Sequence, residues 1–267
     1  MFEPRTGERY DMPVVFGPSL YPAQSEVKSA TLIATSFRTE PEAASRLMPQ
    51  HLAVGSEPII YVNRLIYDGI DYLGGRGYEE LIVAINAVYE RDDERIEAPY
   101  VAALWVSDIA ALIGGREFLG HPKLHGELPK VIEKDDRVTF EAGEYGATFL
   151  KGEVRNLRPL PARTVEKIRG RISPLSFGWK YVAGPDGSVD ADYATLLSMT
   201  WNYQEAWTGE GEVDFLPSCR ADLPVSWRIV DALAGLPVLE RKPAFMAKGS
   251  AVIDRAATRR LAPVRAG

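Results

Sequence analysis

The sequence predicts a mainly β (α+β) protein, its strands wrapped into a barrel or sandwich with a few helices at the edges. Three observations carry this. Segments rich in β-branched and aromatic residues follow one another at close spacing along most of the chain. Turn-forming residues separate many of them. Helical patterning is confined to short stretches.

In chain order, residues 30–37 (ATLIATSF) and 57–67 (EPIIYVNRLIY) read as strands. Between them, residues 40–48 (EPEAASRLM) read as a helix, with Thr39 placed to cap it and Pro41 in its first turn. Asp68-Gly69 and Gly74-Gly75 are turn pairs before a strand at 81–89, and another strand follows at 100–106. The charge run ERDDERIEA at 90–98 reads as a solvated connection. Strands at 136–141 and 145–157 flank Ala142-Gly143, read as a turn. A weak helix at 163–172 stops before Pro174. Pro185-Asp186-Gly187 is a turn, 194–203 a strand, and 225–233 a helix that starts after Pro224. With no repeat and no boundary, residues 1–267 read as a single domain, residues 255–267 forming a loose basic tail.

The chain has 267 residues, 46% hydrophobic and 25% charged, enough for a sizeable core. Net charge is −6, and Lys and Arg gather into no long run, which argues against a nucleic-acid partner. Cys219 is the only cysteine, so no intrachain disulfide forms and a cytoplasmic location fits. No apolar run approaches the ~18 residues of a membrane span, and the N-terminus lacks a signal-peptide core.

The most informative window is residues 114–126, GGREFLGHPKLHG. Lys123 sits there between Pro122 and Leu124, after the apolar stretch 109–113. A lysine held among apolar groups loses hydration of its ammonium form and tends toward the neutral amine. That amine attacks ketones to give a Schiff base. A solvated loop lysine is the plain alternative. His121 has the residue type for proton transfer near neutral pH, or simply packs on Phe118. Arg116 suits carboxylate recognition through its two-pronged fork, or forms a structural pair with Glu117. Glu80 opens the strand at 81–89, where a carboxylate can hang over a barrel mouth as general acid or base. Strand alternation sends Glu79 and Glu80 to opposite faces. Three histidines and one cysteine leave few metal ligands, and the glycines make no dinucleotide fingerprint, so neither metal nor cofactor is expected.

Taken together and in order, four pieces resemble the acetoacetate decarboxylase family, over roughly residues 15–255. They are Phe37-Arg38-Thr39, Gly77-Tyr78-Glu79-Glu80-Leu81, Gly115-Arg116-Glu117 through His121-Pro122-Lys123, and Glu205-Ala206-Trp207-Thr208-Gly209. The resemblance implies a closed antiparallel β-barrel with a few flanking helices, in a homo-oligomer. It implies that Lys123 is the Schiff-base lysine, a role for which this family is a standard example. It makes Glu80 the active-site glutamate, and Arg116 and Glu117 a buried pair. Departures are as telling. Decarboxylating members carry a second lysine where this chain has Leu124, an arginine near Ser29 or Ala30, and a further glutamate near Val62 or Asn63.

The reading that follows is an aldolase-dehydratase acting on pyruvate or a related small 2-oxo acid and an aldehyde. Lys123 and Glu80 are its catalytic residues. Arg116, Tyr78, His121 and Glu117 bind substrate, with Tyr78 and His121 as further proton donors. One alternative is a decarboxylase of acetoacetate or another 3-oxo acid, with Lys28 or Arg64 replacing the missing arginine. Another is a non-catalytic small-ligand binder.

Overall fold

A computed structural model of the chain describes residues 1–169 and 175–263. Strands dominate: β1 (Gln24–Arg38), β2 (Ala53–Val54), β3 (Ile59–Ile70), β4 (Arg76–Arg91), β5 (Glu94–Val106), β6 (Lys123–His125), β7 (Ile132–Lys134), β8 (Arg137–Glu144), β9 (Ala147–Pro159), β10 (Ser176–Ala183), β11 (Val189–Phe215), β12 (Glu240–Arg241) and β13 (Pro243–Arg260). The helices are short: α1 (Pro41–Ser45), α2 (Ile109–Gly114), α3 (Ala162–Ile168) and α4 (Trp227–Ala234).

The sheet runs β10-β5-β4-β3-β1-β13-β11-β9-β8-β7, and β10 pairs with β11 as well as with β5. Almost every pairing is antiparallel; β5 with β10 and β5 with β6 are parallel. The central stretches of β3, β4 and β5 are buried at nearly every position, which explains their nearly unbroken apolar sequence. On β4, Leu81, Val83 and Ile85 belong to a core completed by Phe140 and Phe149 of the β8–β9 hairpin and Val230 and Leu233 of α4. The opposite face of the same strand carries Tyr78, Glu80, Ile82 and Ala84 toward a cavity.

Several sequence expectations change. The charge run at 90–98 is itself strand. β4 and β5 extend through it, and Asp92, with φ 52°, sits where the chain reverses. The tip of this hairpin is exposed on both faces, so it tolerates charge at consecutive positions. Ala142-Gly143 lies inside β8; the reversal comes at Tyr145-Gly146, both at positive φ. Thr39 does not cap α1. Glu40 holds the N-cap position without a side-chain bond, and the Thr39 hydroxyl is buried without a partner. The apolar stretch 109–113 is the helix α2, capped by Asp108, whose side chain accepts from the Ala111 amide at 2.9 Å. α3 ends at Ile168, and the remainder of that expected helix, from 170, lies outside the described residues. The expected loose tail does not begin at Arg255. β13 runs on to Arg260, with Ile253 and Arg255 buried in alternation and Leu261 buried after them.

Candidate active site

A cavity of about 290 Å³ lies on the inner face of the sheet. Its wall is mostly apolar and aromatic, including Tyr67, Trp201, Tyr203 and Phe245. Lys123 enters it through a local device. The chain leaves α2 into a single π turn, Gly115–Leu119, and reverses at Gly120, φ 68°. Isolated π turns accompany functional sites. Two long-range bonds pin this one: Lys180 Nζ donates to the Glu117 carbonyl, and the Thr195 hydroxyl donates to the Leu119 carbonyl. β6 then pairs in parallel with β5, Leu104 opposite Lys123 and Trp105 opposite Leu124. Lys123 therefore shares the cavity face with Leu104, while Leu124 packs with the Trp105 core.

Gly115 is needed for this arrangement. A Cβ there would overlap both Cδ and Cε of Lys123, so the lysine stem lies directly against the glycine backbone. Across the cavity, Glu80 Oε1 accepts from Lys123 Nζ at 2.5 Å, and each side chain is only 6% exposed. This is the single buried acid–amine pair in the cavity wall among the described residues. The ammonium position also lies 5.4 Å from the Tyr78 ring centroid.

Of the other expected site residues, Tyr78 and His121 line the cavity and Arg116 and Glu117 do not. Burial pushes the Tyr78 phenol well above its usual range, the Glu80 charge adding to this; the phenol is bonded to Tyr72. Burial, and then the charge of Lys123, lowers His121 to about 3. Burial thus favours the neutral ring. Ser176 Oγ lies 3.5 Å from its Nε2. Arg116 is exposed and donates to the Lys123 carbonyl at 3.1 Å. The wide π turn directs Leu119 inward and Arg116 and Glu117 away, so the expected buried Arg–Glu pair does not form.

Glu79, on the outer face of β4, is not a solvated bystander. It accepts from Arg64, whose side chain is fully buried. Arg64 also donates to the Leu128 and Pro129 carbonyls at 3.2 and 3.1 Å. Arg64 thus points away from the cavity, and Lys28 is exposed. Neither stands in for the arginine expected near Ser29 or Ala30. Asn63 does reach the cavity wall, with its Oδ1 buried and unpartnered.

Sequence reading missed Arg255, which lines a small chamber beside Lys123. The signal was available: in AVIDR, residues 251–255, alternation puts Ala251, Ile253 and Arg255 on one face.

The chain belongs to the acetoacetate decarboxylase family, whose family model matches residues 11–251. The family's members are lysine-dependent enzymes. Acetoacetate decarboxylase 1 of Bradyrhizobium diazoefficiens is 26% identical over 228 residues, covering 84% of this chain and 86% of that protein. A solved acetoacetate decarboxylase superposes with a TM-score of 0.76 at 17% identity, covering 96% of each chain. The enduracididine biosynthesis enzyme MppR, solved in complex with pyruvate, superposes with a TM-score of 0.68 at 16% identity, covering 96% of this chain and 98% of that one. MppR has also been solved with the condensation product of pyruvate and imidazole 4-carboxaldehyde. At these identities the structural likeness establishes the fold.

Proposed function

We propose that the protein is a Schiff-base lyase that condenses pyruvate or a related small 2-oxo acid with an aldehyde and then removes water. One observation carries this reading most: Lys123 and Glu80 meet at 2.5 Å inside a largely apolar cavity. A carboxylate within hydrogen-bond reach of an amine can move the proton that separates ammonium from nucleophile. The amine adds to the ketone carbon, and the carbinolamine loses its hydroxyl as water, the proton coming from Glu80. Glu80 then takes a proton from the adjacent methyl carbon of the iminium, leaving an enamine. The enamine carbon bonds to the aldehyde carbon, and the new alkoxide takes the proton back. Loss of a second C–H proton and of the hydroxyl as water gives a conjugated iminium. Hydrolysis releases an unsaturated 2-oxo acid and free Lys123.

Glu80 is the shuttle throughout, because burial makes His121 a weak base and Tyr78 a weak acid. Those two shape the wall and donate hydrogen bonds. Tyr67, Trp201, Tyr203 and Phe245 suit an apolar or aromatic aldehyde. The pyruvate complexes of MppR support the same substrate class on this fold. The proposal includes a sheet closed into a barrel through the β10–β11 and β10–β5 pairings, in a cytoplasmic homo-oligomer of one domain.

Decarboxylation of a 3-oxo acid is the second reading, favoured by the name of the Bradyrhizobium relative. Against it, neither Lys28 nor Arg64 reaches the cavity to replace the arginine that decarboxylating members carry near Ser29 or Ala30. Two assays separate the readings. One follows the absorbance of an unsaturated 2-oxo acid from pyruvate and an aromatic aldehyde. The other follows carbon dioxide from acetoacetate. Condensation with weak or absent gas release supports the lyase; the reverse establishes the decarboxylase. No turnover and no covalent adduct would leave only a binder.

A further inference from the structure

Beside Lys123 lies a chamber of about 30 Å³. It is lined by Tyr21, Tyr72, Tyr78, Gly115, Lys123 and Arg255, among others. It shares Tyr78, Leu119, Lys123 and Ile253 with the main cavity, so the two spaces meet at the lysine. A volume of about 30 Å³ holds one water molecule or a group of similar size.

Arg255 is buried, with 6% of its surface exposed. Its guanidinium lies between the rings of Tyr21 and Tyr72, at 5.1 and 4.7 Å from their centroids. Nη1 donates to the Pro22 carbonyl at 3.3 Å and to the Ser25 hydroxyl. Among the described residues no carboxylate lies within 4.0 Å of it, whereas the other buried arginine, Arg64, has Glu79. Asp71 influences it from farther off, its oxygens engaged by the amides of Glu26 and Tyr72 at 3.0 and 2.6 Å. A buried cation without a counter-ion is costly unless an anion arrives. Lys123 has Glu80 as its partner, and burial keeps His121 and the tyrosines neutral. Arg255 has no carboxylate in contact, Asp71 acting on it only from a distance, and a monocarboxylate in the chamber would pair with it directly.

We infer that Arg255 receives the carboxylate of the 2-oxo acid in this chamber, fixing the ketone carbon beside Lys123; the inference rests on the 2-oxo-acid reading above. In a 2-oxo acid the carboxylate is bonded directly to the carbon that Lys123 attacks, so a chamber touching the lysine is where it falls. In a 3-oxo acid the carboxylate is one carbon farther away. Arg255 therefore selects for 2-oxo acids.

The alternative role is structural, with Arg255 tying Pro22 and Ser25 to β13. The test is borohydride trapping on the full-length protein, measuring half-saturation for pyruvate and for its neutral ester, methyl pyruvate. Arg255→Gln should weaken pyruvate by about 10–100-fold, the worth of hydrogen bonds to a charged group, and leave methyl pyruvate little changed. Arg255→Lys should fall between the two. Equal losses for both ketones, or no loss for pyruvate, overturn the assignment. Wild-type protein gives an independent reading. Propionate should compete with pyruvate for adduct formation and propionamide should not; equal behaviour overturns the assignment even if neither variant folds. No adduct from either ketone in wild type removes the 2-oxo-acid reading and the assignment with it. An adduct with undiminished pyruvate preference in Arg255→Gln removes the assignment alone.

Discussion

Glu79 and Glu80 are neighbours on β4, and replacing each with glutamine separates the two faces of that strand. Glu80 faces the cavity and bonds Lys123; Glu79 faces the outer core and bonds Arg64. Breaking a buried ion pair by removing one partner costs about 3–5 kcal/mol. Glu79 keeps 23% exposure, and Arg64 retains two carbonyl acceptors, so the low end applies. A loss of about 3 kcal/mol lowers the melting temperature of a chain of this size by roughly 6–12 °C. Glu79→Gln should show that shift and turn over normally while folded. Glu80→Gln should lose about 10²–10⁴-fold in condensation rate, the usual contribution of a positioned proton carrier. The assay pairs a thermal melt with product absorbance for the two variants side by side. If Glu79→Gln loses turnover at full stability, the faces of β4 are assigned the wrong way round, as a one-residue slip would make them.

Gly115→Ala should leave the protein folded but slow adduct formation by on the order of 10²-fold, since small misplacements of a reacting group carry such penalties. The added Cβ displaces the Lys123 stem, which stopped-flow or quenched trapping would register. His121 sits at about 3 in the fold against 6.5 ordinarily. Protons therefore bind the unfolded chain first, and as pH falls from about 6.5 toward about 3 this residue removes about 1.4 kcal/mol of stability per pH unit. Melts across that range should flatten in His121→Asn, and an unchanged slope would contradict the burial of the ring. Leu124→Lys should destabilise the protein without raising carbon dioxide release from acetoacetate, because its side chain enters the Trp105 core.

The strands and the glycine-bracketed lysine were legible because alternation and turn chemistry are local properties. β4 shows this best: one rule of period two puts Glu80 with Tyr78 and sends Glu79 away. What lay across that outer face was not legible. The partner of Glu79 is Arg64 on a different strand, and only the pairing of β3 with β4 brings them together. The same reasoning explains Arg116. Its residue type suits a carboxylate, but the π turn that carries it rotates it outward, and no sequence period announces a single wide turn. Arg255 is masked by composition, since it opens a basic terminal stretch, although alternation from Ala251 places it inside.

The central claim is that Lys123 forms an imine with a 2-oxo acid. Intact mass and peptide mapping after treatment with pyruvate and borohydride test it directly. The expected result is a single reduced pyruvyl adduct on the peptide containing Pro122-Lys123, absent from Lys123→Ala. An unmodified Lys123, or an adduct that persists in Lys123→Ala, would contradict the account.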